Sequence, residues 1–293
     1  MAISFDSANT TFKTVSGSSS DSLAHTCTGS NRYLLVAMLD YVPNVTGVTY
    51  AGVSMTEIDN GAVSGDVTIR VFGLANPASG SNNITVTASG SATFVYGGVS
   101  YAGVSQVTTP DNKTKSLLTS QSSPFTTTLS TVADNCWTML FVRNPTANIT
   151  AGTGSTFRAS DAGIDGRTIG FYDSNASITP AGSTSMGVTF SGSSTIGTIM
   201  VSIAPYVTVQ NLTMTASVGA FTLTGTTTGL GRLYTMIASV GSFILTGTDA
   251  IFNVRGWTNQ SKNSSSFSNQ SKNSSSFSNQ SKNTSSWSNQ SKN

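Results

Sequence analysis

RYLLVAMLDY, residues 32–41, contains a continuous apolar run with a counterpart in NCWTMLFV, residues 135–142. In both, apolar residues follow one another without alternation, so both faces of an extended strand are hydrophobic. A strand of this kind is typical of the centre of a structure in which both faces of a sheet are covered. The sequence therefore predicts that both stretches are central strands, covered on both sides.

Many further short runs with two-residue alternation or continuous apolar character lie between residue 1 and about residue 206. Examples are SLAHTCT (22–28), DVTIRVFGLA (66–75), NNITVTASG (82–90) and ATFVYGGVSYAG (92–103). Clusters of Gly, Pro, Asn and Ser separate these runs, and no amphipathic helical stretch lies between them. The pattern predicts an all-β domain over 1–206, a jelly-roll-like antiparallel β-sandwich that ends near Pro205.

Residues 207–256 contain a repeat of 22 residues. MTASVGAFTLTGT (214–226) returns as MIASVGSFILTGT (236–248), with ten of thirteen positions identical. Each copy is predicted to form two short strands, with Phe221 or Phe243 in the second. One such unit buries too little surface to be stable alone, so it needs a neighbour, either the other copy or another subunit.

Residues 257–293 form a tail of nearly identical ten-residue repeats. It has four Lys and no acidic residue, whereas the preceding residues hold ten basic and twelve acidic ones. Because ten is even, an extended strand places all the aromatic residues on one side. One aromatic per repeat does not offset the backbone entropy of ordering a single chain, at about 1–2 kcal/mol per residue. We therefore expect an extended tail that is ordered by assembly, with an interface made of Trp257, Phe267, Phe277 and Trp287, together with Phe221 and Phe243.

The composition argues against catalysis. Charged residues make up 9% of the chain, against about 25% in an ordinary soluble domain. Glu57 is the single Glu and His25 the single His, and no GxSxG, P-loop or dinucleotide motif occurs. General acid–base catalysis depends on such side chains, so we expect a non-enzymatic protein without a cofactor. The scattered basic residues predict no nucleic-acid binding, and no apolar run is long enough to span a membrane.

Two sets of residues are weighed as metal sites. His25 and Cys27 alternate with Leu23 on one face of a predicted strand, but two ligands fall short of a zinc site, so a packed core face is preferred. Asp161 and Asp165 lie in SDAGIDGR, a Gly-containing loop that is a calcium candidate, with an Asx turn as the preferred alternative. No metal is therefore predicted.

The two cysteines, Cys27 and Cys136, are expected to be buried free thiols. The start, MAISFDSANT, has neither the basic nor the apolar region of an export signal, and reducing compartments disfavour disulfides.

A family resemblance rests on RYLLVAMLDY, VTGVTYAGVSMTEI, VTIRVFGLANPASGSNNITVTASG and VSYAGVSQ. These strings resemble a β-sandwich module of structural proteins in tailed bacteriophages and prophage regions. The TASVGxFxLTG repeat and the Asn-Gln-Ser-Lys-Asn decapeptides are similar to repeats appended to such proteins. The resemblance implies a virion component, such as a fibre, a tail appendage or a capsid decoration, and it supplies no catalytic residue.

The resemblance leads to an expected function. It is a non-enzymatic structural protein at the virion surface, made in the host cytoplasm without a signal peptide. The expected partners are further copies of the chain, as a homotrimer by family analogy, and other virion proteins. A carbohydrate-binding or receptor-binding adhesin that contacts a cell-surface glycan is the alternative, and a glycan depolymerase is a third. For the adhesin, the candidate contacts are Tyr41, Tyr50, Tyr96 and Tyr101, which are equally plausible as packing residues.

Overall fold

The structure is a computed structural model that divides into two units, Met1–Val207 and Thr208–Asn293. It describes residues 1–41, 44–62, 67–107, 109–144, 149–162 and 166–207 of the first unit and, in the second, the segments 212–216, 221–224, 234–238 and 243–246. The predicted tail interface of Trp257, Phe267, Phe277 and Trp287 lies outside the described residues. So does Asp165 of the candidate calcium loop.

The first unit contains sixteen strands in its described part. They are β1 (Ser4–Ala8), β2 (Lys13–Cys27), β3 (Tyr33–Asp40), β4 (Val45–Tyr50), β5 (Val53–Ser54), β6 (Thr56–Ala62), β7 (Thr68–Ala75), β8 (Gly80–Ala102), β9 (Asn112–Ser122), β10 (Phe125–Ser130), β11 (Trp137–Asn144), β12 (Ile149–Ala151), β13 (Thr156–Asp161), β14 (Thr168–Asp173), β15 (Ser183–Phe190) and β16 (Ser193–Ile203). The described residues contain no α-helix, and therefore no helix that could cross a membrane. The predicted all-β class is confirmed.

The two stretches predicted to be central strands are confirmed as such. All eight residues of β3 are buried, and so are all eight residues of β11. The side chains of each strand alternate between two separate apolar cores. Leu35 and Leu39 of β3 lie in one core, whereas Leu34 and Met38 lie in another. A period of two therefore divides one apolar run between two cores.

Strand β8 departs from the sequence prediction. NNITVTASG and ATFVYGGVSYAG were expected to be separate strands, but 80–102 form one strand of 23 residues. Its beginning pairs with β4 and its end with β3, while β2 pairs along most of its length. The pairing of β2 with β8 shifts register at Ser16–Ser18 and Ser18–Ser20. Bulges of this kind bend a strand without ending it.

Three antiparallel sheets form the first unit. The order of the largest is β5-β4-β8-β3-β7-β6, with β1 and β2 also paired to β8. The second has the order β13-β14-β11-β16-β9, and the third has the order β10-β15-β12. One core joins β3, β7 and β8 of the largest sheet to β11, β14 and β16 of the second. A further core lies on the opposite face of β3, and another on the opposite face of β11.

The strand orders show that the first unit contains the same arrangement twice. The order β6-β7-β3-β8-β2 in the first half matches β13-β14-β11-β16-β9 in the second. Likewise β2-β8-β4 matches β10-β15-β12. The long strands β2 and β8 each correspond to two strands in the second half. The first unit is therefore a pair of topologically equivalent sandwiches, packed face to face through β3 and β11.

One polar contact recurs in both halves. In the first, the Asp6 carboxylate accepts hydrogen bonds from the Ser100 hydroxyl at 2.7 Å and from the Thr28 backbone N–H at 2.8 Å. The Thr28 hydroxyl donates to the same carboxylate. This aspartate joins the end of β8 to the residue that follows β2. We call it the aspartate clamp of the first half.

The second half has the equivalent aspartate clamp. Asp111 accepts from the Ser202 hydroxyl at 2.9 Å and from the backbone N–H groups of Val132 and Ala133 at 2.9 and 3.0 Å. Ser202 lies in VSIA of β16, and VSYA occupies the matching place in β8. The two halves therefore share a specific stabilising contact as well as a strand order.

The second unit contains four described strands, β17 (Leu212–Ala216), β18 (Phe221–Thr224), β19 (Tyr234–Ala238) and β20 (Phe243–Thr246). Each copy of the repeat contributes two of them, as the sequence predicts. β17 pairs with β19 and β18 pairs with β20, both in parallel. Leu212 is opposite Tyr234 and Phe221 is opposite Phe243, a displacement of one repeat length throughout. The two copies are therefore each other's neighbours.

Removing either aspartate clamp should destabilise the protein. Asp6→Ala and Asp111→Ala each remove the common acceptor of three hydrogen bonds, so we expect a loss of about 1–3 kcal/mol in the free energy of unfolding in each case. Urea denaturation of each variant measures it. Lys13→Ala is the control, because the Lys13 amine is exposed and 3.9 Å from Asp21, and it should change stability by less than about 0.5 kcal/mol. A clamp variant as stable as this control would contradict the assignment.

Candidate functional site

The single histidine lies next to a serine and an aspartate, so this group is the first candidate for chemistry. His25 Nε2 is 3.0 Å from Ser100 Oγ, and His25 Nδ1 is 3.0 Å from Asn9 Oδ1. Asn9 Nδ2 donates to the Ala24 carbonyl, which places the amide oxygen toward the ring. Nδ1 therefore carries the proton that faces Asn9 Oδ1, and the one proton of the Ser100 hydroxyl lies between two acceptors, His25 Nε2 and the Asp6 carboxylate.

This geometry does not suit a nucleophilic triad. In a triad the carboxylate orients the histidine, and the histidine takes the serine proton. Here the Asp6 carboxylate contacts Ser100 itself, and its oxygen is 2.7 Å from the hydroxyl that also faces His25. Ser100 is fully buried and His25 is 3% exposed, so no substrate reaches the pair. The group is a buried polar network that joins β1, β2 and β8.

The pKa of His25 follows from this burial. Loss of hydration lowers the pKa of His25 to about 4, and the charge of Asp6 opposes that effect. Burial alone would raise the pKa of Asp6, but the hydrogen bonds from Thr28 and Ser100 outweigh it, and this pKa is lowered. The ring is therefore neutral at pH 7.

The two cysteines are free and buried, as predicted. Burial raises the pKa of Cys136 to about 12, and it also raises the pKa of Cys27. A thiol reacts through its thiolate, so neither side chain is a nucleophile in the folded protein. Cys27 lies with His25 on the buried face of β2, which is the packed core face that the sequence predicts.

The tyrosines considered for a glycan site are core residues in three of four cases. Tyr50, Tyr96 and Tyr101 are at most 1% exposed. The Tyr50 hydroxyl donates to the backbone carbonyl oxygens of His25 and Gly80 at 3.1 Å. These three rings cannot stack on a sugar in this structure. Tyr41 is half-buried, and the Arg167 guanidinium lies 5.7 Å from the centre of its ring.

The calcium candidate gains no support from the described residues. Asp161 is the last residue of β13, where it pairs with Ile169 of β14. Among the residues that the structure describes, no group of three His, Cys, Asp or Glu side chains could hold a metal ion.

Two arginine clusters bind three acidic side chains, and in each cluster the arginine is half-buried. Arg158 donates to both oxygens of the Asp173 carboxylate, at 2.6 and 2.9 Å, and lies 4.1 Å from the centre of the Phe5 ring. Tyr101 of the first half donates to the same carboxylate at 2.9 Å. Asp173 is fully buried, so this pair depends on every one of these contacts. The cluster joins the two halves and has a structural role.

The second arginine cluster binds Glu57, the single Glu of the chain. Arg70 donates to both oxygens of Glu57 at 2.9 Å and to Asp40 at 3.2 Å. Burial would raise the pKa of Glu57, but the hydrogen bond and charge of Arg70 outweigh it and lower this pKa. An ionised carboxylate that accepts two hydrogen bonds from an arginine is a poor general acid. Arginines within apolar strands are the sequence signal that could have revealed both clusters.

Edge strands β6 and β9 meet where the two halves join, and lysines cover the exposed backbone there. Lys113 Nζ donates to the Ile58 carbonyl, and Lys115 Nζ donates to the Asn60 carbonyl at 2.7 Å. Lys115 is also 3.0 Å from the Asp59 carboxylate. Lysines on an edge prevent another strand from pairing with it. This side of the first unit is closed to strand addition.

A cavity of about 490 Å³ lies beside this junction, lined in part by Tyr33, Glu57, Pro110 and Lys113. Its two charged side chains already have partners, Arg70 for Glu57 and the Ile58 carbonyl for Lys113. Neither charged side chain of the cavity is therefore available to bind a ligand.

The repeat strands of the second unit form the remaining candidate, an assembly site. Within the described part of the chain, the β17–β19 sheet and the β18–β20 sheet have two strands each, both parallel. Two-stranded sheets are marginal in water, and parallel sheets are found almost only where both faces are covered. The strands that hold Phe221 and Phe243 are therefore a candidate for pairing with further strands.

Comparisons with known proteins assign this chain to no family. No protein-family model, no curated protein and no solved structure matches this chain.

The environment of His25 gives a test by nuclear magnetic resonance. Because this is the single histidine, a long-range proton–nitrogen spectrum shows one imidazole. We expect a neutral ring with its proton on Nδ1 at pH 7, titrating with a pKa of about 4. A ring that titrates near its ordinary value of 6.5 would contradict the buried network.

The same shift predicts how stability depends on pH. The folded pKa lies below the unfolded value, so the unfolded chain binds the proton more readily between pH 6.5 and 4. The stability that neutral His25 contributes is complete above pH 6.5 and decreases as the pH falls toward 4. His25→Leu is the matched variant, because Leu129 holds the equivalent position of β10. It should show a flatter dependence over this range, measured by urea denaturation at each pH.

Proposed function

We propose that the protein is a non-enzymatic structural protein of a bacteriophage virion that associates with its own copies through the C-terminal repeats. A fibre, a tail appendage and a capsid decoration all fit this role. The observation that carries the proposal is the parallel, in-register pairing of the two repeats at a displacement of 22 residues. Two repeats give two-stranded sheets, which need further strands to become stable.

The chemistry of the first unit supports a structural role. Glu57 and Asp173 bind arginines, and Asp6 and Asp111 form the aspartate clamps. His25 is buried beside Ser100. These side chains stabilise contacts between strands, which is the use expected in a rigid module. The bacteriophage context rests on the sequence resemblance of the sandwich and repeat motifs.

The contrast between the two units supports assembly through the repeats. In the first unit, lysines cover the edge formed by β6 and β9. In the second, β17 to β20 offer parallel edges with no third strand among the described residues. Proteins that blunt one set of edges and leave another set available direct association to the available set.

The adhesin remains the alternative proposal, with the loops at one end of the sandwich holding a glycan. It loses three of the four tyrosines considered for it, because Tyr50, Tyr96 and Tyr101 are core residues. A glycan array with the first unit distinguishes the two proposals. Specific binding at micromolar to millimolar concentrations would favour the adhesin, and no binding favours the structural role.

The oligomeric state of two chains tests the proposal. Size-exclusion chromatography with light scattering should give a multiple of 30.2 kDa for the full chain, three copies being expected by analogy. A fragment of residues 1–207 keeps the whole first unit and its three cores, so it should be folded and monomeric. A full chain that is monomeric at micromolar concentration would contradict self-association. A fragment that associates as strongly as the full chain would place the interface in the first unit.

A further inference from the structure

The pairing of the repeat strands indicates which partner these strands bind and in which orientation. β17 and β19 belong to copies that share ten of thirteen residues over 214–226 and 236–248. They pair in parallel, with each residue opposite the one that follows it by 22 positions. The same holds for β18 and β20. The outer edges of the first and second repeats of one chain are therefore not equivalent. They are the two opposite edges of a sheet in which each strand follows the previous one by 22 residues.

The pairing inside the chain shows which strand each outer edge accepts. One edge of β19 is already complementary to β17. A backbone in a parallel ladder presents donors and acceptors on both edges, so the second edge of β19 suits another strand in the same direction. The strand with the best-matched sequence is β17 of another copy of this chain. By the same reasoning, the outer edge of β18 suits β20 of another copy.

We propose that copies of this protein dock head to tail through the repeats, with β19 and β20 of one copy pairing in parallel with β17 and β18 of the next. This inference rests on the proposed self-association and adds its geometry. The contact is heterologous, since two different edges meet, and it continues the 22-residue displacement from chain to chain. Tyr234 of one copy is then opposite Leu212 of the next, as the two residues are within one chain.

This geometry differs from that of an isologous dimer and from that of a trimer in which equal strands meet at the axis, whereas a ring of three head-to-tail contacts is compatible with it. In an isologous dimer, one edge pairs with itself, so parallel strands of equal direction are replaced by antiparallel ones. In a threefold bundle without strand exchange, each residue faces its own equivalents around an axis. Head-to-tail pairing instead brings 213 of one copy beside 235 of another and keeps equal residue numbers apart.

Cysteine pairs distinguish these arrangements. Thr213 and Thr235 are opposite each other in the β17–β19 pair. Thr213→Cys and Thr235→Cys therefore make the same substitution on both strands of the pair. Neighbouring strands are about 4.8 Å apart, which is within the Cα range of a disulfide. Cys27 and Cys136 are buried, so the unaltered full chain under the same mild oxidation is the control for background bridging.

Crosslinking is measured on full-length chains. T213C alone and T235C alone stay uncrosslinked, whereas co-assembly of equal amounts of the two gives a covalent dimer at about a quarter of the head-to-tail junctions. The double variant T213C/T235C bridges within the chain at high dilution, because its two threonines are paired there. Non-reducing electrophoresis separates these species, and light scattering reports association independently.

Three outcomes would overturn the inference, and they separate it from the proposed function. Crosslinking of T213C with itself, in a chain that associates, replaces head-to-tail docking with symmetric contact between equal strands. Association without any crosslink between the mixed variants places another segment on these edges. Failure of the double variant to bridge within the chain contradicts the 22-residue register. A chain that does not associate at all removes the proposed function as well.

Discussion

The burial of both faces of β3 and β11 is the constraint on which the rest of the structure depends. Each strand has a core on either side, so each must lie between two layers of sheet. Since side chains alternate along a strand, a shift of one residue would exchange the contents of two cores. The apolar interior therefore fixes register, while the Tyr101–Asp173–Arg158 contacts and the aspartate clamps complete it with hydrogen bonds that a shifted strand could not make.

The same constraint explains how functions are divided between the two units. We expect a first unit with three cores and ion-paired arginines to be stable without a partner, and lysines on β6 and β9 cover the edges at its junction. In the repeats, the described part of each sheet has two parallel strands. We therefore propose that further copies of the chain stabilise the repeats.

The sequence was sufficient where one physical effect dominated. Continuous apolar runs at 33–39 and 136–142 identified the central strands, alternation placed His25 and Cys27 on a buried face, and the repeat predicted two strands per copy. It failed where the outcome depends on distant residues. The Ser-Gly-Ser stretch inside β8 looks like a turn, but it lies in a bulge between Thr87 and Ala92, which pair with Ser20 and Ser18 of β2. The duplication could not be predicted from the sequence, because few residues, such as those of VSYA and VSIA, repeat between the halves.

Hydrogen exchange measured at two protein concentrations tests the central claim most directly. The amides of β3 and β11 should be protected equally at both, because their cores belong to a single chain. The amides of 212–216, 221–224, 234–238 and 243–246 should be protected at high concentration and exchange faster on dilution. Equal exchange of the repeats at both concentrations, or loss of protection in β3 and β11 on dilution, would contradict an account in which the first unit is self-sufficient and the repeats are stabilised by other copies.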